Sequence, residues 1–585
     1  MNGGPAATVD FASEEAARGH GRIARGQRVL ERLAGGSTWM TVVHVMMLAA
    51  ASIAVALCLW TPNSYTNLFL RDQLYLLNAA YLIFTGHVPH VDFAWQFGGY
   101  ESYLVALAFR WFGVSFKALE QATAFSYAVA LALLYLGAYR RTHPLTFILL
   151  FVLLTATSLT RFPFENGTPD LAVQTYAMFY NRTCWALAIV LFASLIGGEG
   201  RLLARQLLAA AVCIFLIMTT KVTFAVLLPP AAALIVWRGG WRGLGIVAAA
   251  MLGLALLAWL FLDYGPAAHL GAIRDILDAT RQFRGLRFGP LHKLAYILYF
   301  NLFGFLALLA GAAYLAIRLR RSRPELVYVA AIVTLLALSA LAAVATGTFY
   351  ALTTTLPMIA FAAIMLSERA LMSGGLEARE RWVFVAGLSL YALAFSGPYL
   401  ANFLAGVAKQ VTRGEQSLFT RGPLAGLIVD KPDLSSTPTF ADAATGVSYV
   451  ARRTELERNG TWLQDYELIH AFKDGIDLAQ RQPGFERLGI AAFYPSIFPF
   501  ALGSPPLRIM PLLPAARADK PAVLPAEVDA VLVMRGDKDA PLHRYYLRAL
   551  SRDFEPVDRS ALWEVHMRRR DEAIVAGDPS LRARR

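Results

Sequence analysis

The chain reads as a polytopic α-helical membrane protein with a small α/β domain at its C-terminal end, and three observations predict this. Hydrophobic residues make up 57% of its 585 residues against 16% charged, with a mean hydropathy of +0.47. Apolar runs of membrane-crossing length recur through the first 400 or so residues and then stop. Basic residues crowd into alternate connections between these runs, the asymmetry that orients a helical bundle in a bilayer. That pattern accounts for the net charge of +13 without any role for nucleic acid.

Residues 1–39 are polar, basic and rich in Gly and Ala, too long for a signal-peptide n-region. They predict a cytoplasmic tail ahead of an uncleaved signal anchor. Eleven spans are expected, at about 40–60, 118–139, 145–160, 183–197, 207–220, 222–237, 243–262, 293–317, 325–345, 349–368 and 382–403. The apolar stretch Tyr103 to Phe112 is too short for a core about 30 Å thick and is read as a helix in the interface of the first loop. With the N-terminus inside, the cytoplasmic loops then hold Arg140 and Arg141; Arg201 and Arg205; Arg238 and Arg242; Arg318, Arg320, Arg321 and Arg323; and Arg369, Arg379 and Arg381. Counting Tyr103 to Phe112 as a span would reverse the asymmetry.

Residues 40–404 thus form the transmembrane domain, and 405–585 a domain on the outer side. There the long apolar runs give way to strand-like Leu488 to Phe493, strand-like Val528 to Met534, helix-like His543 to Phe554, then Ala561 to Val565. No Gly-rich phosphate loop, nucleophile elbow or internal repeat accompanies them. Cys58, Cys184 and Cys213 all lie in apolar segments, which supports neither a disulfide framework nor a thiolate metal site.

The outer loops carry the candidate chemistry. Asp72, in Arg71-Asp72-Gln73-Leu74-Tyr75, opens a helix-like run that Gly86-His87-Val88-Pro89 breaks. A carboxylate at a membrane surface is a functional candidate, although Asp72 also reads as a helix N-cap. Asp92 and Glu101 share this loop, while the second loop, 161–182, holds Glu165 and Asp170 within Asn166-Gly167-Thr168-Pro169-Asp170, which is turn chemistry in its own right. Both loops face one side, so their acids can converge. Lys221, between two uncharged runs, either snorkels to lipid phosphates or holds the phosphate of a bound lipid. Arg274, Arg281, Arg284 and Arg287 suit anionic headgroups or pyrophosphate, or pair with Asp275 and Asp278. His87 and His90 read as solvated loop histidines.

These residues resemble the lipid-linked sugar transferases of the GT-C class. The resemblance rests on an acid opening the first outer loop, the turn Gly86-His87-Val88-Pro89-His90-Val91-Asp92, a short interfacial helix, a span ending in Arg140-Arg141, and Met218-Thr219-Thr220-Lys221. The last looks like the Thr-Lys of the aminoarabinose transferase and its relatives, a group taken together with the protein O-mannosyltransferases. It covers about residues 40–320 and implies a GT-C-like membrane fold, a polyprenyl-phosphate-linked sugar donor, and a glycan, lipid or protein acceptor at the outer face of a bacterial inner membrane. It implies Asp72 as the base and Asp170 as a second acid. Lys221 and Arg287 would be phosphate ligands, with Asp92 and Glu165 in the substrate-binding set. Where many members have a second acid after the first, this chain has Gln73, so catalysis without a metal or other cofactor is expected. One base suffices for inversion at the anomeric carbon. Phe162, Phe164, Tyr176, Phe179 and Tyr180 can stack on sugars or form an interfacial belt. A flippase for lipid-linked glycans is the alternative, which predicts charges within spans and paired broken helices; a membrane scaffold is a third.

Overall fold

Two compact units divide the chain, Met1–Ala56 and Leu57–Arg585. The computed structural model describes residues 37–66, 70–93, 95, 97–162, 171, 173–282, 290–320, 323–346, 356–373, 376–412, 417, 419, 421–429, 465–492, 498–507, 526–534, 550–560 and 563–569. In the first unit helix α1 (Ser37–Trp60) begins, apolar throughout and exposing Val45, Met46 and Ile53, a surface suited to hydrocarbon.

The second unit opens with strand β1 (Ser64–Thr66) and helix α2 (Leu70–Phe84), which ends at Thr85-Gly86 where the sequence predicted a break. Helix α3 (Tyr100–Phe112) has 13 residues, about 20 Å at 1.5 Å per residue, so it is too short to span. It does not lie on a surface, however: Glu101, Ser102, Val105 and Phe109 are buried, and α3 packs on α2 and on the next helix. That helix is α4 (Ala118–Ala138), followed by α5 (Pro144–Leu159), α6 (Phe179–Ile196) and α7 (Ala204–Thr220). Apolar on all sides, α6 is buried along nearly its whole length between α4, α5 and α7.

A 3-10 turn over Val222–Leu227 leads into α8 (Leu228–Leu262). Gly240 interrupts α8 at φ 67°, ψ −177°, a conformation that glycine adopts without steric cost. The break falls between Arg238 and Arg242, where the sequence predicted an inner loop between two spans. Helices α9 (Pro266–Gln282), α10 (Pro290–Arg318), α11 (Arg323–Thr346), α12 (Leu356–Met372) and α13 (Ala378–Thr412) complete the helical part. Among the described residues seven helical stretches are long and apolar enough to cross a membrane, with α5 and α7 shorter apolar helices. The expected eleven is therefore not the number that helix length establishes. The expected spans 222–237 and 243–262 fall in one helical stretch, α5 and α7 have 16 and 17 residues, and α12 begins at Leu356, after a segment outside the described residues.

Beyond α13, β2 (Leu427–Val429) pairs in parallel with β1. Helix α14 (Asp465–Gln480), β3 (Ile490–Ala492), the short helix α15 (Phe498–Leu502), β4 (Ala530–Met534), β5 (Phe554–Arg559) and β6 (Trp563–Arg568) follow. The four later strands form a mixed sheet in the order β3-β4-β6-β5, parallel at β3–β4 and otherwise antiparallel. The helix-like run expected to reach Phe554 instead gives way there to β5, which carries no alternating pattern, and the last strand is described from Trp563, with Ala561 and Leu562 outside the described residues. Helices α14 and α15 pack on α2, and a single apolar cluster takes in Leu77, Phe109, Phe472, Phe500 and Trp563. Each such side chain contributes about 1.5–3 kcal/mol by leaving water, so the C-terminal elements brace the helix that carries Asp72.

The α6–α7 hairpin has two unlike ends. Its turn, Gly197–Arg201, gathers arginines from three other parts of the chain. Arg238 donates to the carbonyls of Leu195 (2.6 Å), Gly197 (3.2 Å), Gly198 (3.2 Å) and Gly200 (2.9 Å). Arg369 reaches Ile196 and Gly198, Arg141 the Glu199 and Arg201 carbonyls, and Arg205 that of Tyr139. These guanidinium groups satisfy carbonyls that a helix end leaves without partners and complement its negative pole. The opposite end holds Phe179–Asn181 and Lys221.

Candidate functional site

Lys221 ends α7 in extended backbone at φ −155°, which turns its side chain out of the helix. Its Nζ donates to Asn181 Oδ1 at 2.9 Å, one turn into α6. The same ammonium stands 4.6 Å from the Tyr180 ring centre and 6.0 Å from that of Phe97, and the two rings stack with centroids 4.1 Å apart. Met178, left-handed at φ 55°, leads into α6 without any side-chain cap, so a helix N-terminus opens beside the ammonium. A cation at an uncapped helix start is suited to an anion, and a phosphate fits its chemistry.

The loop between α2 and α3 is fastened to this end. Gly98 donates its N–H to the Thr220 carbonyl at 2.9 Å, and a Cβ at Gly98 would overlap the Thr219 carbonyl. Glycine here lets the loop backbone lie against Met218-Thr219-Thr220-Lys221. Upstream, the turn Val88–Phe93 is closed by His90 N–H donating to Phe93 O (2.8 Å) and Val88 N–H to Asp92 Oδ2 (2.7 Å). Asp92 therefore supports a turn. His90, expected in solvent, is buried, because its Nδ1 lies 2.9 Å from Asp275 Oδ2 on α9. Arg274 approaches the other Asp275 oxygen at 3.5 Å.

Asp72 is the third residue of α2, half-buried, and so lies in the first turn rather than at the cap. A carboxylate there is favoured by the helix dipole whatever else it does. Gln73 beside it is fully buried and bonds in three directions, with Nε2 donating to Thr66 Oγ1 (2.8 Å) and Thr175 Oγ1 (3.0 Å) and Oε1 accepting from Tyr176 N–H (3.1 Å). Gln73, where a second acid was looked for, is thus the tie between α2 and the loop that leads into α6. Thr175 N–H also donates to Arg161 O at 2.7 Å, closing that loop at its base. Glu165 and Asp170 lie outside the described residues, as do Phe164, Arg284 and Arg287. Phe162, Tyr176 and Phe179 are buried; among the described residues of the expected aromatic set, Tyr180 meets Lys221.

Two buried groups went unassigned by sequence reasoning. Glu101 on α3 is 3% exposed, with Thr183 and Arg182 as its polar neighbours. Burial pushes its carboxyl up to about 8, against the opposing pull of Thr183 and Arg182. Glu120 receives bonds from Lys117 and Gln410, and Arg161 approaches it at 3.5 Å while donating to Gln410 Oε1 at 3.0 Å. Glu120 and Arg161 fall at the same-side ends of two predicted spans, a placement that would have suggested their pairing. Among the described residues no three His, Cys, Asp or Glu side chains gather as a metal site.

No protein-family model matches the chain, and no curated protein matches it. Among solved structures it is similar to the crystal structure of ArnT from Cupriavidus metallidurans bound to undecaprenyl phosphate, at 12% identity and TM-score 0.47, covering 90% of this chain and 98% of that one. The same enzyme in its apo state is 11% identical with TM-score 0.46 and the same coverage. ArnT is the aminoarabinose transferase, a GT-C enzyme. What the site does here is argued from its own residues.

Proposed function

We propose that the protein is a membrane glycosyltransferase that moves a sugar from a polyprenyl-phosphate donor to a glycan, lipid or protein acceptor at the outer face of a bacterial inner membrane. The observation that carries this reading is the Lys221 ammonium, held by Asn181 over the Phe97–Tyr180 stack beside the open start of α6. Phosphate binding suits the ammonium and helix end; an apolar chain or a sugar face suits the rings. A phosphate ester is already a competent leaving group, so the remaining need is a base. Asp72 takes the proton of the acceptor hydroxyl, the oxygen attacks the anomeric carbon, and the bond to the phosphate oxygen breaks with inversion. The departing polyprenyl phosphate keeps that electron pair, and Lys221 with Arg287 meets the growing charge. Asp170 orients acceptor or sugar, Asp92 and Glu165 complete the substrate-binding set, and no metal takes part.

Turnover of a labelled polyprenyl-phosphate sugar by purified protein, with release of polyprenyl phosphate measured, tests the reading. Lys221→Gln should lose a charge-assisted contact worth about 1.5–3 kcal/mol, split between donor affinity and maximal rate, and Lys221→Arg should recover part of both. Unchanged donor kinetics in Lys221→Gln would return this lysine to contact with bulk lipid.

A further inference from the structure

Asp275 lies on α9, in a different connection from Lys221, yet it is 8% exposed and one of its oxygens holds the first outer loop at two points. Oδ2 lies 2.9 Å from His90 Nδ1 and accepts the Trp95 N–H at 3.1 Å. One turn earlier, Gly271 meets His90 so closely that a Cβ would overlap the His90 carbonyl, and α9 is therefore seated directly on the loop backbone. His90 itself is left-handed at φ 68°, a conformation a non-glycine residue keeps only when its surroundings impose it. Tyr264, just before α9, packs its ring edge-on to His90 and against Gly99.

We propose that Asp275 and His90 are a positioning pair that sets Lys221 by holding Trp95, and through it Phe97 and Gly98, in place beside it. The path is short and continuous. Asp275 fixes the Trp95 amide; two residues on, Phe97 stacks on Tyr180 and forms part of the surface under the ammonium; Gly98 donates to Thr220, the residue before Lys221. Neither member touches the reacting atoms. The pair works through the orientation of Phe97 and of the Thr220–Lys221 backbone, and the functional part of this inference rests on the reading of Lys221 as a phosphate ligand.

The test uses the full chain in nanodiscs with undecaprenyl phosphate as the probe, alongside amide hydrogen exchange. Asp275→Ala should weaken binding about tenfold and speed exchange at Trp95 and Gly98 by a similar factor, without change in the interior of α6. Asp275→Asn still accepts the Trp95 N–H and should recover most of both. His90→Phe keeps the ring packing on Tyr264 but removes the nitrogen, and should show a smaller effect of the same kind; it also decides the matter should Asp275→Ala fail to fold. Wild-type binding and wild-type exchange at Gly98 in either folded variant overturn the proposal. If the wild-type chain does not bind the probe while Lys221 variants behave alike, the reading of Lys221 fails. Exchange at Gly98 then still decides the positioning role, faster exchange in Asp275→Ala supporting it and unchanged exchange overturning it.

Discussion

The two ends of the α6–α7 hairpin both hold buried or half-buried cations, and they hold them differently. At the turn, Arg238 and Arg369 bond to main-chain carbonyls at a helix end, and their positions follow from where helices stop. At the far end, Lys221 is held by a side-chain amide and two ring faces, contacts that a phosphate oxygen can replace without unravelling a helix. Guanidinium forks that complete a helix end are architecture; an ammonium over aromatic faces beside an uncapped helix start is suited to exchange of partners. The contrast separates stability from chemistry in a chain where arginine content alone would not.

The largest effect should come from the structural end. Arg238→Leu leaves the buried carbonyls of Leu195 and Gly197 without this donor and should destabilise the fold by about 3 kcal/mol or more. Thermal melting of the purified variant measures this, and the surviving folded fraction should turn over donor as the wild type does. A variant that melts normally but loses turnover would reverse the roles assigned to the two ends.

At the other end the expectation is the opposite. Asp72→Asn keeps size and a first-turn polar group but removes the proton acceptor, so turnover should fall about 100-fold with melting unchanged. Near-normal turnover would leave Asp72 as a carboxylate that merely complements the helix dipole.

The last expectation concerns Glu101, which lies near this end without joining it. Its carboxyl is raised to about 8 by burial, so the folded state binds a proton that the unfolded chain has released. Stability should therefore decline as pH rises from about 4.5 towards 8, by no more than about 1.4 kcal/mol per pH unit. Glu101→Gln, neutral throughout, should flatten that slope in melts recorded between pH 5 and 8. An equal slope in the variant would place the pH dependence elsewhere.

Legibility in the sequence followed the range of the forces involved. Helix existence and approximate bounds in the first 400 residues, the break near Gly240 and the punctuation at Gly86 were readable, because apolar content and glycine act within a few residues of themselves. Lys221 stood out for the same local reason, being a lone charge between apolar runs. Which helices suffice to span was not readable from runs alone, since α5 and α7 proved to be only 16 and 17 residues long.

Pairings across long separations needed the tertiary structure. Gln73 looked like a missing acid and is instead the knot between Thr66, Thr175 and Tyr176. His90 looked like a solvated loop histidine, yet it is buried by a carboxylate 185 residues away. Asp92 was grouped with the substrate contacts and closes its own turn. Hydropathy pattern and residue type determined that this is a helical membrane protein with a cation and a carboxylate at helix ends. Which polar groups satisfy one another, and which are left to meet a ligand, was decided only when packing brought distant segments together, because a buried donor or acceptor is costly unless matched and the match is not encoded near it in the chain.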